Sequence, residues 1–301
     1  MKVLITGGAG YIGSALCQEL SFKENVDVTV VDRFKYGAAP IASFLKNPRF
    51  RFVKGDVRDD LLMKELISSH DIVVHLAALV GTPACDADPY EANSVNLDGT
   101  AIVSSHINKG QRLLFASTGV NYGKVEGDIC DENTPLKPET LYAKTKVAGE
   151  NLVLDAGGIV LRLATLFGLS GRPRDDLLVN NLVRDAVTNR CLTIFQGGAK
   201  RSFLALSDAA RCFSHVMMLD ATSYNVIDVG DKSLGLTKSE VAQQVSKITG
   251  AYIFEKDYYS DPDHRDYIVP YKRLSEIGFE ARAVFLKELK ILKEFYDIGV
   301  T

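Results

Sequence analysis

The sequence predicts an α/β fold built on a Rossmann-type doubly wound parallel sheet. Three observations predict it. Apolar strand-like segments alternate with helix-like ones through the first half of the 301 residues, the pattern of a parallel sheet covered on both faces. The first strand, Lys2-Val3-Leu4-Ile5-Thr6, runs into a glycine turn and then a helix. The second, Val28-Thr29-Val30-Val31, ends on an acidic residue, Asp32.

The turn is Gly7-Gly8-Ala9-Gly10-Tyr11-Ile12-Gly13, and residues 14–20 continue as helix. Its spacing is G-x-x-G-x-x-G rather than the commoner G-x-G-x-x-G. Gly7 allows the tight turn, Gly10 lets the backbone approach a pyrophosphate, and Gly13 lets the helix pack close to the strand. The helix N-terminus then offers free N–H groups to that phosphate. Asp32 stands where an acid accepts both ribose hydroxyls of NAD and repels the extra phosphate of NADP. Arg33, directly after it, works against that preference. The competing reading is a structural turn without a ligand.

The later elements follow from periodicity. A helix is expected at 40–46. Arg51-Phe52-Val53 is a short strand ending at Gly55-Asp56-Val57, and residues 59–68 have helical spacing. Residues 71–78 form a buried strand, 91–108 a long helix, and 112–117 a fifth strand. A sixth strand spans 158–163. Helices end at Asn189, cover 207–220, and close the chain at 284–297 with one buried face.

Ligands in such sheets collect at the carboxyl ends of the strands. After strand three, Asp56 can bond an adenine amino group while Val57 packs on the ring; it can equally cap the next helix. After strand four, the small Ala77 and Ala78 allow backbone contact with a ribose, or serve packing. His75 reads as a core histidine. Strand five closes on Ser117-Thr118, and Tyr142-Ala143-Lys144-Thr145-Lys146 opens the following helix. Tyr142 and Lys146 are four apart, so they share a helical face. A tyrosine is a poor base at its usual pKa of about 10. A nearby ammonium favours the phenolate. Thr118 can donate a hydrogen bond to a substrate oxygen. Each feature alone is ordinary surface or loop chemistry; their joint order carries the signal.

Composition excludes other classes. Apolar residues make up 46%, enough for a buried core, and the net charge is −3. That charge gives no general attraction to nucleic acid or to an anionic membrane. Cys17, Cys85, Cys130, Cys191 and Cys212 are scattered and odd in number, and they form no C-x-x-C pair. The expectation is a reduced, cytoplasmic protein without a metal site. No apolar run is long enough to span a membrane. With strand one starting at Lys2, no signal peptide is expected.

The chain resembles the extended short-chain dehydrogenase/reductases, in the branch of nucleotide-sugar epimerases, dehydratases and 4-dehydrogenases. The resemblance rests on TGGAGYIG at 6–13, Asp32, GDVRD at 55–59, HLAA at 75–78, Asn96, STGVNYG at 117–123 and YAKTK at 142–146. It implies that Tyr142 is the base, Lys146 its partner and Thr118 the hydroxyl contact. It implies NAD as cofactor, held by Gly7, Gly10, Tyr11, Ile12, Gly13, Asp32, Arg33, Asp56, Val57, Leu76, Ala77, Ala78, Asn96, Tyr142 and Lys146. Substrate contacts are expected from Thr118, Thr165, Arg172, Arg174, Asn181, Arg201 and Arg265. The last two arise from family-like segments at 197–203 and 263–267, and their guanidinium forks match diphosphate oxygens.

The resemblance also implies a domain plan and an assembly. Residues 1–165 form a Rossmann-type NAD-binding domain, to which about 190–230 return. Residues 166–189 and 231–301 form a smaller, discontinuous C-terminal substrate lobe. Homodimer pairing is expected through the helices of Asn96 and Tyr142. In 4,6-dehydratases an Asp-Glu pair follows the hydroxyl residue, whereas Gly119-Val120 stands here, so dehydration is disfavoured. AALVGTPAC at 77–85 and RLATLFGLSGRPRDDLLVN at 162–180 look like GDP-heptose 4-dehydrogenases. The resulting expectation is NAD-dependent oxidation at carbon 4 of a nucleotide-activated sugar. A 4-epimerase is the alternative. A non-catalytic NAD-sensing regulator fits less well, because Tyr142 and Lys146 are both present.

Overall fold

The computed structural model describes residues 1–127, 129–220, 223–256 and 266–299. The apolar runs become strands and the intervening segments helices, in this order: β1 (Lys2–Thr6), α1 (Tyr11–Ser21), β2 (Asp27–Asp32), β3 (Phe50–Lys54), α2 (Asp60–Ser68) and β4 (Ile72–His75). Then come α3 (Thr82–Ala87), α4 (Pro89–Asn93), α5 (Gly99–Ser105), β5 (Arg112–Thr118), α6 (Leu141–Asp155) and β6 (Ile159–Leu163). All of these strands, with β10 (Val226–Val229), join one parallel sheet of order β10-β6-β5-β4-β1-β2-β3. From β1 the chain moves outward through β2 and β3, then crosses back to place β4 on the other side of β1. That reversal opens a crevice at the carboxyl ends of β1 and β4.

The sheet is buried on both faces because successive side chains alternate. Val3 and Ile5 join one core with Leu16, Leu20 and Phe213. Leu4 joins the opposite core with Val31, Met63, Val103 and Val153. Helix α2 starts on Asp59, whose carboxylate accepts from the Leu62 N–H at 3.1 Å. Asp59, and not Asp56, is therefore the cap.

A separate core belongs to the smaller lobe. It draws on β7 (Thr165–Phe167), α7 (Leu178–Asn189), β8 (Cys191–Phe195), β9 (Lys200–Ala205), α9 (Lys238–Thr249) and α11 (Phe285–Asp297). The sequence assigns about 190–230 to the main sheet, yet Leu192, Ile194, Phe203 and Ala205 sit in this second core. The return to the sheet is made by α8 (Leu206–Met218) and β10. Strand β9 touches both cores by alternation: Phe203 and Ala205 face the lobe, while Leu204 faces the main core. The lobe also carries two small sheets, β11-β9-β7 with β11 at Gly235–Thr237, and β12-β8 with β12 at Tyr252–Lys256. A short α10 (Lys272–Glu276) precedes α11.

Two helix expectations change. The segment at 40–46 is a 3₁₀ helix, Ala39–Phe44. The long helix at 91–108 begins at Pro89 and passes through a π-helical stretch, Ser94–Asp98, before α5. Among the described residues no helix is long and apolar enough to cross a membrane.

Candidate active site

The crevice is a cleft of about 530 Å³. Its floor is the glycine turn. Gly7 has φ +72°, and a side chain there would start 2.7 Å from the Ala77 amide nitrogen. A Cβ on Gly13 would lie 2.4 Å from the Gly7 carbonyl oxygen. The turn can therefore lie against β4 and α1 only because these residues lack side chains. Asp32 stiffens it from β2, accepting from the Ala9 N–H at 3.0 Å and the Phe34 N–H at 2.7 Å. Thr6 ties β1 to β4: its hydroxyl bonds His75 Nδ1 at 2.7 Å and accepts from the Leu76 and Ala77 amides at 3.2 Å. Burial pulls the His75 pKa down to about 3, so the ring is a neutral core element.

Residues expected at the cofactor reach the cleft from the first half of the chain. Gly7, Gly10, Tyr11, Ile12, Gly13, Asp32, Arg33, Val57, Leu76, Ala77 and Ala78 all line it. Tyr11 also anchors the lobe, its hydroxyl donating to the Gly168 carbonyl at 2.8 Å. Two expected contacts lie elsewhere. Asp56 is outside the cleft lining, paired with Arg58 through Nε and Nη2 at 2.9 and 2.6 Å. Asn96 is buried in the π-helical stretch and also outside that lining. Its amide holds Leu79 from both sides, accepting from the N–H at 2.7 Å and donating to the carbonyl at 3.0 Å, and donates to Thr145 Oγ1 at 3.1 Å. It shapes the wall between β4 and α6.

Thr118, Tyr142 and Lys146 line the same cleft from β5 and α6. Helix α6 starts on Thr140, which accepts from the Ala143 N–H at 3.2 Å, so Tyr142 falls in the first turn. Lys146 is one turn further and 3% exposed. Its Nζ donates to the Ala116 carbonyl at 2.8 Å and lies 4.5 Å from the Phe115 ring centroid. Burial lowers its pKa to about 8, with Glu150 and Cys85 opposing. The ammonium is thus poised close to neutrality, beside the end of the strand that carries Thr118.

A buried carboxylate joins these elements, and sequence reasoning missed it. Glu150 accepts from Ser117 Oγ at 2.5 Å and from Asn121 Nδ2 at 2.7 Å, the residues that bracket Thr118. Arg162 on β6 grips it at 2.7 to 3.1 Å and donates to the Tyr122 hydroxyl at 2.9 Å. Tyr122 in turn donates to Asp228, whose pKa burial raises to about 8. The available signal was spacing: Glu150 lies four residues after Lys146 on one helix.

Toward the lobe the cleft is lined by Thr165, Arg172, Arg174 and Asp176. The Arg172 guanidinium stacks 3.9 Å over the Tyr36 ring. Arg174 holds Asp176 through two bonds, at 2.6 and 2.5 Å, and lies within electrostatic reach of Tyr142. The other expected substrate contacts are placed differently. Asn181 is half-buried on α7 outside the lining; its neighbour Asn180 bonds the Gly168 backbone instead. Arg201 is buried on β9 against a second, narrow cavity of about 20 Å³, shared with Tyr122, Arg162, Asp228 and Tyr267. Arg265 lies outside the described residues. Among the described residues no His, Cys, Asp and Glu cluster suits a metal ion.

The fold and the cleft together define a Rossmann-type enzyme built to hold a dinucleotide. The glycine cradle and Asp32 fit NAD. Residues 3–230 match the model of the NAD dependent epimerase/dehydratase family, and the chain belongs to it. It is 31% identical over 268 residues to the "Uncharacterized UDP-glucose epimerase YtcB" of Bacillus subtilis (strain 168), covering 82% of this chain and 81% of that one. It is 27% identical over 318 residues to a dTDP-glucose 4,6-dehydratase of Streptomyces niveus, covering 98% and 93%. Among solved structures, a UDP-glucuronic acid 4-epimerase from Bacillus cereus, in complex with UDP-glucuronic acid and NAD, superposes with TM-score 0.88 at 25% identity, over 98% of this chain and all of that one. The protein is an NAD-dependent enzyme of the epimerase and dehydratase type, and the relatives named here act on nucleotide sugars.

Proposed function

We propose that the protein oxidises carbon 4 of a nucleotide-activated sugar and releases the 4-keto product, acting as a nucleotide-sugar 4-dehydrogenase. The observation that carries this reading is the gathering of Thr118, Tyr142 and Lys146 on one wall of a cleft whose other end is the glycine cradle. Tyr142 takes the proton of the carbon-4 hydroxyl, and the buried Lys146 ammonium favours its phenolate. Thr118 holds the substrate oxygen. NAD, when bound, supplies the hydride acceptor. Gly7, Gly10, Gly13 and Asp32 hold the cofactor's diphosphate and ribose, and Lys146 also serves the nicotinamide ribose.

Gly119 and Val120 follow Thr118 and cannot move a proton, which speaks against elimination of water. Arg172 lines the cleft and offers a fork for the substrate diphosphate, while Arg174 beside it holds Asp176 with its own fork. Arg201, also expected at the substrate, borders the second cavity instead, and Arg265 lies outside the described residues. The second core, around α7, α9 and α11, forms the lobe that receives the sugar nucleotide. The segment resemblance to GDP-heptose 4-dehydrogenases supports a GDP-sugar.

A 4-epimerase is the second reading, favoured by the likeness to the Bacillus cereus 4-epimerase. It differs only in returning the hydride to the other face of the ketone. The test is incubation with GDP-, UDP-, dTDP- and CDP-sugars, following the NADH absorbance band and product mass together. NADH with a product two mass units lighter supports the dehydrogenase. An isomeric product without net NADH replaces it with the epimerase. NAD binding without turnover of any sugar nucleotide overturns both in favour of a regulator.

A further inference from the structure

Resting on the reading that NAD occupies this cleft, we propose that Glu91 enforces the choice of NAD over NADP by disarming Arg33. Arg33 follows Asp32 at the ribose end of the cleft and lines it. A guanidinium in that place is the group that would grip the extra phosphate of NADP. Here it is already engaged. Its Nη1 donates to Glu91 Oε1, and its Nε lies 3.4 Å from Asp56 Oδ2. The other Glu91 oxygen accepts from Arg58 Nη1 at 2.9 Å, and Arg58 grips Asp56.

The cluster closes on itself. Hydrogen bonding from Arg33 and Arg58 holds the Glu91 carboxyl below the usual carboxylate range, and Arg58 does the same for Asp56. Both acids are charged at neutral pH. Two guanidinium groups, Arg33 and Arg58, therefore face three carboxylates, Asp32, Asp56 and Glu91. A phosphate arriving here meets an Arg33 fork whose Nη1 and Nε already face carboxylates, with the Lys35 ammonium as a further cation on the cleft lining. Glu91 reaches the site from α4, 58 residues beyond Arg33 in sequence, so the preference is set by two parts of the chain. Replacing its carboxylate with an amide balances the cluster and frees Arg33 toward the cleft, while the helix and the side-chain size are kept.

The experiment measures dissociation constants for NAD⁺ and NADP⁺ by isothermal titration of wild type, Glu91→Gln, Arg33→Ala and the double variant. Glu91→Gln is expected to tighten NADP⁺ binding about tenfold and to leave NAD⁺ within about threefold, since one charge is removed at a partly buried site. Arg33→Ala alone should leave NADP⁺ binding unchanged, and in the double variant the gain should vanish. An unchanged NADP⁺ affinity in Glu91→Gln with NAD⁺ binding intact overturns the inference, as does a gain that survives Arg33→Ala. Should Glu91→Gln fail to fold, Arg33→Ala still decides: weaker NADP⁺ binding than wild type means Arg33 was never disarmed, and an unchanged affinity supports the inference. A wild type that binds neither cofactor overturns the reading of the cleft and this inference with it.

Discussion

Lys146→Met should make the protein more stable at neutral pH while disabling it. In the fold the ammonium is buried against the Ala116 carbonyl and the Phe115 ring. Burial lowers its pKa from 10.5 to about 8. Between these values the unfolded chain binds more protons than the folded one, so stability rises with pH through that window. The destabilisation is fully present below about pH 8 and gone above about 10.5. Its size is the interval 10.5 − 8, or 2.5 pH units, at about 1.36 kcal/mol each, giving about 3 kcal/mol. Methionine keeps the length and most of the volume without a charge. It forfeits the bond to Ala116, about 1 kcal/mol. The variant should therefore exceed wild type by about 2 kcal/mol at pH 7 and fall about 1 kcal/mol below it at pH 10.5. Urea unfolding of both proteins at steps from pH 7 to 10.5 measures this, because other titrations cancel in the difference. A difference that stays flat across that range refutes the reasoning. So does a variant less stable than wild type at pH 7.

Three further outcomes follow from the site. Tyr142→Phe keeps the ring and its packing but removes the base, so turnover should fall about 10²–10⁴-fold while NAD titration remains normal; near-wild-type turnover on the true substrate would remove Tyr142 from the mechanism. Glu150→Ala leaves the buried Arg162 guanidinium without its carboxylate, which should cost about 3–5 kcal/mol in denaturant unfolding; a loss under about 1 kcal/mol would mean that water reaches the network. We propose a homodimer paired through the helices that hold Asn96 and Tyr142, and light scattering at micromolar concentration should give twice the chain mass of 32.9 kDa.

The legible part of the molecule is its local part. An apolar run of five to seven residues bounded by glycines and polar turns is too short for a buried helix and reads as a strand, so β1, β2 and β5 are readable to within a residue or two. The same holds for the glycine turn, whose close approach to β4 requires residues without side chains, and for Tyr142 and Lys146, whose helical spacing places them together. The π-helical stretch within 91–108 was not readable. Within it Asn96 bonds Leu79 and Thr145, which come from other elements, so its surroundings are tertiary.

The chain alone thus determined the dinucleotide cradle, the acid after β2 and the Tyr–Lys pair, because each is set by neighbours within one turn or one strand. Tertiary structure decided everything that depends on a partner far along the chain. It gave Arg33 to Glu91, 58 residues further on. It buried Glu150 under Arg162, Ser117 and Asn121. It turned β8 and β9 toward the second core, and it brought Arg172 and Arg174 rather than Arg201 to the cleft. The physical reason is common to all of these. Periodicity records which face of an element is apolar, but a charged side chain takes whichever partner packing brings within about 3 Å, and that is settled only when the elements meet.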